Sequence, residues 1–428
     1  MVKKFCLAIF SVIFFSAVIV NAKELPSEID FETREIQLIC AMSSLAAYSG
    51  DESFLVRSSL DSRGWKIDAI TNNKNGVTVK AYTVSKTFFD GRIVKILVVA
   101  GTEDLKDVEV DFRLGGVTLH KDDSSNIFVH KGFRDYADAT LDGGVAENLI
   151  AELKNNHKET LYLTGHSLGG SVAIVMATRL NDMGVDKNQL KVITFGALAV
   201  GNKALADEYT SKIDLTRIEI KGDVAKKIFE PFGYIPFGDV MTWKPAKNVD
   251  HHEHKMTMYL DCAIRNYFDA EGFTFDDGIG ENKIDIPIYI APIKFVKKNF
   301  NAKDEKYIYG ILRTGLSTRF SNLTFDENNF LEVEGADNIS NNISQFITAA
   351  KNSSSHYVLA QLVNADRVRD ARDSERQAML CTFLYDLNGM PVFMQTSGAS
   401  TNDFTLIEAV SFIQENLLPK LEKVLTDD

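Results

Sequence analysis

Cysteine is scarce in this 428-residue chain, with only Cys6, Cys40, Cys262 and Cys381 present. No Cys-x-x-Cys pair exists, which argues against a zinc ribbon, an iron–sulfur cluster or a disulfide framework. Basic charge is also short: 47 Lys and Arg stand against 59 Asp and Glu, a net charge of −12. Such a balance excludes a broad electrostatic footprint for nucleic acid or an anionic membrane surface. From residue 23 onward no apolar run is long enough to span a bilayer, and no internal repeat is visible. What is present, 45% hydrophobic residues, suits a folded protein with one large core or two ordinary ones.

The first 22 residues differ from the rest. Lys3 and Lys4 precede an apolar run from Phe5 to Val20, and Val20-Asn21-Ala22 offers small residues for cleavage. This pattern predicts a secretory signal peptide, since the run is shorter than the roughly 20 residues a membrane-spanning helix needs. A secreted or periplasmic protein is expected. Cleavage would remove two lysines and no acid, taking the net charge to −14. Cys6 would leave as well, and the three remaining cysteines allow at most one internal bridge.

Alternation organises the next two thirds. A helix is expected over Thr33 to Tyr48, ended by Gly50. Trp65–Ile70, Val77–Val84 and Ile93–Ala100 read as strands, the last apolar on both faces as in a sheet interior. Helix Val145–Lys154, strand Leu161–Thr164, helix Leu168–Asn181, strand Lys191–Phe195, helix Lys203–Lys212 and strand Leu215–Ile220 follow. Strands separated by helices imply an α/β fold with a mostly parallel sheet covered on both faces.

The strongest chemical signal is Gly165-His166-Ser167-Leu168-Gly169-Gly170. It fits Gly-x-Ser-x-Gly, in which a serine nucleophile stands on a sharp strand-to-helix turn and small neighbours permit close backbone approach. An apolar strand runs into it and a small-residue helix runs out. In an open parallel sheet the working groups gather at the carboxyl ends of the strands. Asp223 lies three residues beyond strand Leu215–Ile220 on that edge, whereas Asp214 starts the strand and Asp239 is far along the next loop. A base after the acid must be His251, His252, His254 or His356. The first three invite a metal reading, but no nearby cysteine or ordered carboxylate set completes a tetrahedral site. No metal is expected. Oxyanion donors are sought in the N–H of Leu168, next to the nucleophile, and in the amide and hydroxyl of Thr102, after the interior strand.

These blocks resemble, in order, the class 3 lipases, a fungal-lipase-like branch of the α/β-hydrolases. Ala46-Ala47-Tyr48 resembles the end of the family's first helix, and Gly101-Thr102 with Asp107 and Asp111 its oxyanion and lid-entry block. Val108 stands where a Trp is usual. Val129-His130-Lys131-Gly132-Phe133, Gly165–Gly170, Thr194–Asn202 and Gly222-Asp223 match further blocks, although Ala197-Leu198 lacks the usual proline. His254, five residues before Tyr259, resembles the base block, and this spacing selects it over His251 and His252. The resemblance covers roughly Thr33 to Phe268. It implies an α/β-hydrolase fold and ester hydrolysis through an acyl-enzyme, with Ser167, Asp223 and His254 as triad and Thr102 and Leu168 at the oxyanion. It implies no cofactor. His130 has a supporting role in the family pattern.

The segment Glu103–Arg113 has a modest apolar face, so lysolipids, phospholipids and short esters are as compatible as triglycerides. A lipid or other ester substrate, with transient contact at lipid interfaces, is the expected partner, and no nucleic acid. A phospholipase A1 or lysophospholipase activity, or a silent lipid-binding module on this scaffold, are the alternatives. Beyond Asp269 the resemblance stops. An acidic, glycine-rich stretch near residues 271–280 reads as a linker to a smaller α+β region of unknown role, running to Asp428. Strands are expected at Ile284–Val296 and Tyr307–Leu312, and a closing helix interrupted by Pro419. Since every mapped block precedes the linker, a fragment cut within Gly272–Gly280 is expected to keep hydrolysing a soluble ester.

Overall fold

The computed structural model describes residues 30–48, 51–74, 76–101, 116–120, 126–247, 249, 253–270, 283–296, 302–333, 343–367, 376–400 and 404–426. The expected signal segment, Thr102, the Glu103–Arg113 segment, His251, His252 and the linker lie outside these residues. Among the described residues, no helix is long and apolar enough to cross a membrane.

Seven strands form the central sheet: β1 (Lys66–Ile70), β2 (Ala81–Thr87), β3 (Ile93–Val99), β4 (Glu159–His166), β5 (Leu190–Phe195), β6 (Asp214–Ile220) and β7 (Asp239–Trp243). They lie side by side in chain order. The β1–β2 and β2–β3 pairs are antiparallel, and the β3–β4, β4–β5, β5–β6 and β6–β7 pairs are parallel. This is the expected α/β-hydrolase sheet, mostly parallel, with its active-site edge where β4 and β6 end.

Helices follow in the order α1 (Phe31–Ala46), α2 (Asp51–Ser62), α3 (Lys131–Thr140), α4 (Val145–Asn155), α5 (Leu168–Asp182), α6 (Lys203–Tyr209) and α7 (Met256–Phe268). Asp30 caps α1 by accepting from the Thr33 N–H at 2.9 Å, and Asn202 caps α6 in the same manner. Because strand side chains alternate between faces, β3 sends Leu97 and Val99 to one side and Val94, Ile96 and Val98 to the other. The first side is packed by α3, α4, α5 and α6. The second carries α1 and α7, which lie against each other.

A second sheet is built from β8 (Ile288–Ile290), β9 (Ile293–Val296), β10 (Leu323–Phe325), β11 (Phe330–Val333), β12 (Tyr357–Arg367), β13 (Arg376–Asp386) and β14 (Pro391–Ser400). Its first part is parallel, and β12–β13–β14 form an antiparallel meander. With helices α8 (Ala302–Arg319), α9 (Ile343–Asn352) and α10 (Leu406–Thr426) it makes the C-terminal α+β region.

Two expectations in this region are corrected. Tyr307–Leu312 is the middle of α8 and not a strand. Ile308, Ile311, Leu312 and Leu316 are buried at helical spacing, and acids at the start with Arg319 at the end suit the helix dipole. Pro419 does not interrupt α10. It lies on the exposed side, where the carbonyl one turn back can be hydrated.

The core of the α1/α7 side does not stop at the linker. One continuous cluster joins Ile39, Leu260 and Ile264 to Ile308, Ile311, Leu312, Ile407 and Phe412. Arg265 of α7 pairs with Asp261 at 2.7 Å and with Asp304 of α8 at 2.9 Å, and its guanidinium lies 4.8 Å over Tyr307. Helices α8 and α10 therefore cover apolar surface that a cut at the linker would expose to water. This packing argues against the self-sufficient N-terminal fragment anticipated from the motifs. Cys40, Cys262 and Cys381 are all free thiols, so no bridge forms among them. Burial pushes the Cys40 thiol up to about 12, which leaves it inert.

Candidate active site

Strand β4 runs directly into α5, and Ser167 occupies the turn between them with φ 55° and ψ −123°. A non-glycine residue with positive φ is strained, and here the surroundings hold it. The Ser167 N–H donates to the Phe195 carbonyl at 2.9 Å. A Cβ at Gly165 would run into the backbone of Gly169, and one at Gly169 into the carbonyl of Val99. The glycines thus let α5 begin close against the sheet, and the strand–turn–helix context anticipated for the motif is present.

The structure brings Ser167, Asp223 and His254 together. His254 Nε2 lies 3.0 Å from Ser167 Oγ, and His254 Nδ1 lies 2.8 Å from Asp223 Oδ2. A carboxylate can only accept, so Nδ1 carries the proton and Nε2 is left to accept from the serine hydroxyl. All three residues are buried. Burial alone would raise the Asp223 carboxyl, but the bonds from His254 and Tyr259 and the Ala225 N–H hold it below the usual range. Asp223 therefore stays ionised beside the imidazole. Asp214 is spent on Lys191 at the start of β6, away from the site.

Three supporting groups were not assigned a role from sequence. Tyr259 Oη donates to Asp223 Oδ2 at 2.5 Å. His166 Nε2–H donates to the His254 carbonyl at 2.7 Å, and Tyr48 Oη donates to His166 Nδ1 at 2.5 Å. Burial pushes the His166 imidazole down to about 3, so it stays neutral and keeps this tautomer. The five-residue spacing from His254 to Tyr259 was a usable signal for the tyrosine. Nothing in the sequence ties Tyr48 to His166, 118 positions away. Gly196, at φ +55°, leaves room for this cluster, since a Cβ there would come within 2.8 Å of both Asp223 Oδ2 and Tyr259 Oη.

His130 does not enter the site. It packs among Phe133, Phe229 and Tyr234, and burial pushes its imidazole down to about 4. Of the oxyanion candidates, Leu168 opens α5, where the first backbone amides lack intrahelical partners. Thr102 lies outside the described residues, but Gly101 before it sits close against Tyr48 Oη and the His166 carbonyl, a space no side chain could share.

The family model described as Lipase (class 3) matches residues 96–231. No curated protein matches the chain. Among solved structures, the chain is similar to the Rhizomucor miehei lipase in its propeptide complex, at 17% identity over 56% of this chain and 80% of that one, TM-score 0.41. It is also similar to lipase II from Rhizopus niveus, at 17% identity over 53% and 84%, TM-score 0.40. A third is the lipase of Rhizopus microsporus var. chinensis, at 17% over 53% and 78%, TM-score 0.39. Residues 96–231, which carry the nucleophile and acid blocks, match the class 3 lipase family, and this match supports a carboxylic ester hydrolase.

Proposed function

We propose that this protein is an exported serine hydrolase that cleaves lipid esters through an acyl-enzyme. The observation that carries the proposal is the unbroken chain of hydrogen bonds from Ser167 Oγ through His254 to Asp223. Ser167 Oγ attacks the ester carbonyl while its proton passes to His254 Nε2, and the ionised Asp223 stabilises the imidazolium. Negative charge on the carbonyl oxygen is held by the Leu168 N–H at the start of α5 and by the amide and hydroxyl of Thr102. His254 then protonates the departing alcohol and activates the water that releases the acid. The chemistry requires no cofactor. Tyr259 holds Asp223, and the Tyr48–His166 pair holds the His254 backbone, so the base is restrained on both sides.

Val224 and Phe232, in the segment following Asp223, are exposed apolar side chains, which suits contact with a lipid interface. Export rests on the Lys3–Ala22 pattern. Labelling by a serine-reactive fluorophosphonate, followed by an acyl-chain and head-group ester panel on the mature protein, tests the proposal. Labelling at Ser167 and turnover that Ser167→Ala abolishes are expected. Absence of both would favour a silent lipid-binding module, and preference for phospholipid or lysolipid esters would make it a phospholipase.

A further inference from the structure

The last strand of the second sheet, β14, is an open edge. Among the described residues it pairs with β13 alone, so the backbone N–H and C=O groups along its outer side form a row with no strand beside them. Natural edge strands are usually guarded by lysine, proline or a bulge against pairing with another chain. Here Pro391 and a register shift at Leu384 and Tyr385 of β13 disturb only the first residues. No charged side chain occurs from Leu387 to Asn402, in a chain that is 25% charged.

The two faces of β14 differ. On one, Phe393 packs with Leu384 of β13 and with Leu418 and Leu421 of α10. On the other, the cluster that α9 forms with β12 through Phe346, Ala350, Val358 and Ala360 takes in Tyr385 of β13 and no residue of β14. Met394, in register with Phe383, is 67% exposed, and Val392 is 43% exposed. The Phe383 and Tyr385 rings stack on the neighbouring strand, 6.1 Å apart. An apolar stripe thus runs across the open face to the open edge.

We propose that β14 pairs with β14 of a second copy of this chain, antiparallel about a two-fold axis perpendicular to the sheet, joining the two C-terminal sheets into one. The row of backbone groups calls for an extended strand, which a lipid surface could not supply. The absence of charge fits pairing with itself. A two-fold axis sets residues of a strand opposite residues of the same strand, so charges of one sign along it would face their own copies. Here none do, although each chain carries −12 overall. Val392 and Met394 of both copies then share one open face, where flexible methionine packs well on aromatic rings. Since β14 carries no residue of the triad, the pairing stands apart from turnover.

Sedimentation equilibrium of the full mature chain, with hydrogen exchange on the same samples, tests the proposal. A monomer–dimer equilibrium is expected, with the β14 amides exchanging more slowly as the dimer fills. Val392→Lys combined with Met394→Lys should weaken dimerisation at least about tenfold, through lost apolar burial and like charges brought together, and Met394→Lys alone should weaken it less. Phe89→Lys, which replaces an apolar side chain 70% exposed on the turn between β2 and β3, should leave it unchanged. All three variants should keep the wild-type circular dichroism spectrum, which reports that they are folded. A monomer at every concentration, a dimer indifferent to the paired lysines, equal weakening by Phe89→Lys, or β14 amides equally protected in the monomer would overturn the proposal. The last result would mean that the chain covers its own edge. Association is read whether or not Ser167 labels, so this test and that of the hydrolase mechanism fail separately.

Discussion

One face of the central sheet is covered by helices that the chain lays down between and after neighbouring strands, whereas the other depends on segments remote in sequence. On the first face α3 to α6 all fall between Lys131 and Tyr209, and their core runs from Leu97 to Phe237. On the second, α1 and α7 come from opposite ends of the hydrolase portion and are closed over by α8 and α10. The motifs and the family match therefore fall on one part of the chain, whereas the buried core of the second face extends beyond it.

Cutting the chain within residues 271–282 puts this contrast under the greatest strain. The fragment should be insoluble or partly unfolded, because the apolar faces around Leu260 and Ile264 lose α8 and α10. Size-exclusion chromatography and circular dichroism check this; a soluble, fully active fragment would mean that the C-terminal region merely rests on a finished domain. A single substitution gives a milder break. Arg265→Ala removes the cation that pairs with both buried Asp261 and Asp304, at a cost of about 3–5 kcal/mol, and should lower the midpoint of urea unfolding.

Within the site, Tyr259→Phe should lower kcat by about tenfold, or ~1.4 kcal/mol, with KM little changed. Asp223 would lose one of its bonds but keep His254. The smallest expected effect is on pH dependence. His130 and His166 have imidazoles depressed to about 4 and about 3 by burial. Below the unfolded value near 6.5, the unfolded chain takes up protons that the native state refuses. Their contribution to stability is thus complete above pH ~6.5 and is lost as pH falls toward the folded values. Replacing His130 by Phe should flatten the slope of stability between pH 6 and 4.5 by at most ~1.4 kcal/mol per pH unit, read from urea midpoints.

Most of the sheet was legible because β3, β4 and β5 are short, mainly apolar runs bounded by polar turns and β6 alternates apolar with polar residues, signals that need no knowledge of tertiary contacts. The elbow was legible because strand, glycines and small-residue helix are contiguous. Helices α2 and α3 escaped notice, being polar or short. Tyr307–Leu312 misled because aromatic and β-branched residues favour strands locally, whereas burial against α10 decides for a helix. In the site, the His254–Tyr259 spacing is local and could be seen. The Tyr48–His166 bond joins two distant segments, and only the folded chain reveals it.

The base assignment is tested most directly by kcat on one soluble ester for His254→Ala, His251→Ala and His252→Ala, with each fold checked by circular dichroism. Without the base Ser167 keeps its proton, so His254→Ala should lose on the order of 10⁴–10⁶ in kcat. The other two should stay within about tenfold. If His254→Ala turned over normally while His251→Ala or His252→Ala was dead, the Ser167–His254–Asp223 arrangement would be contradicted as the working site.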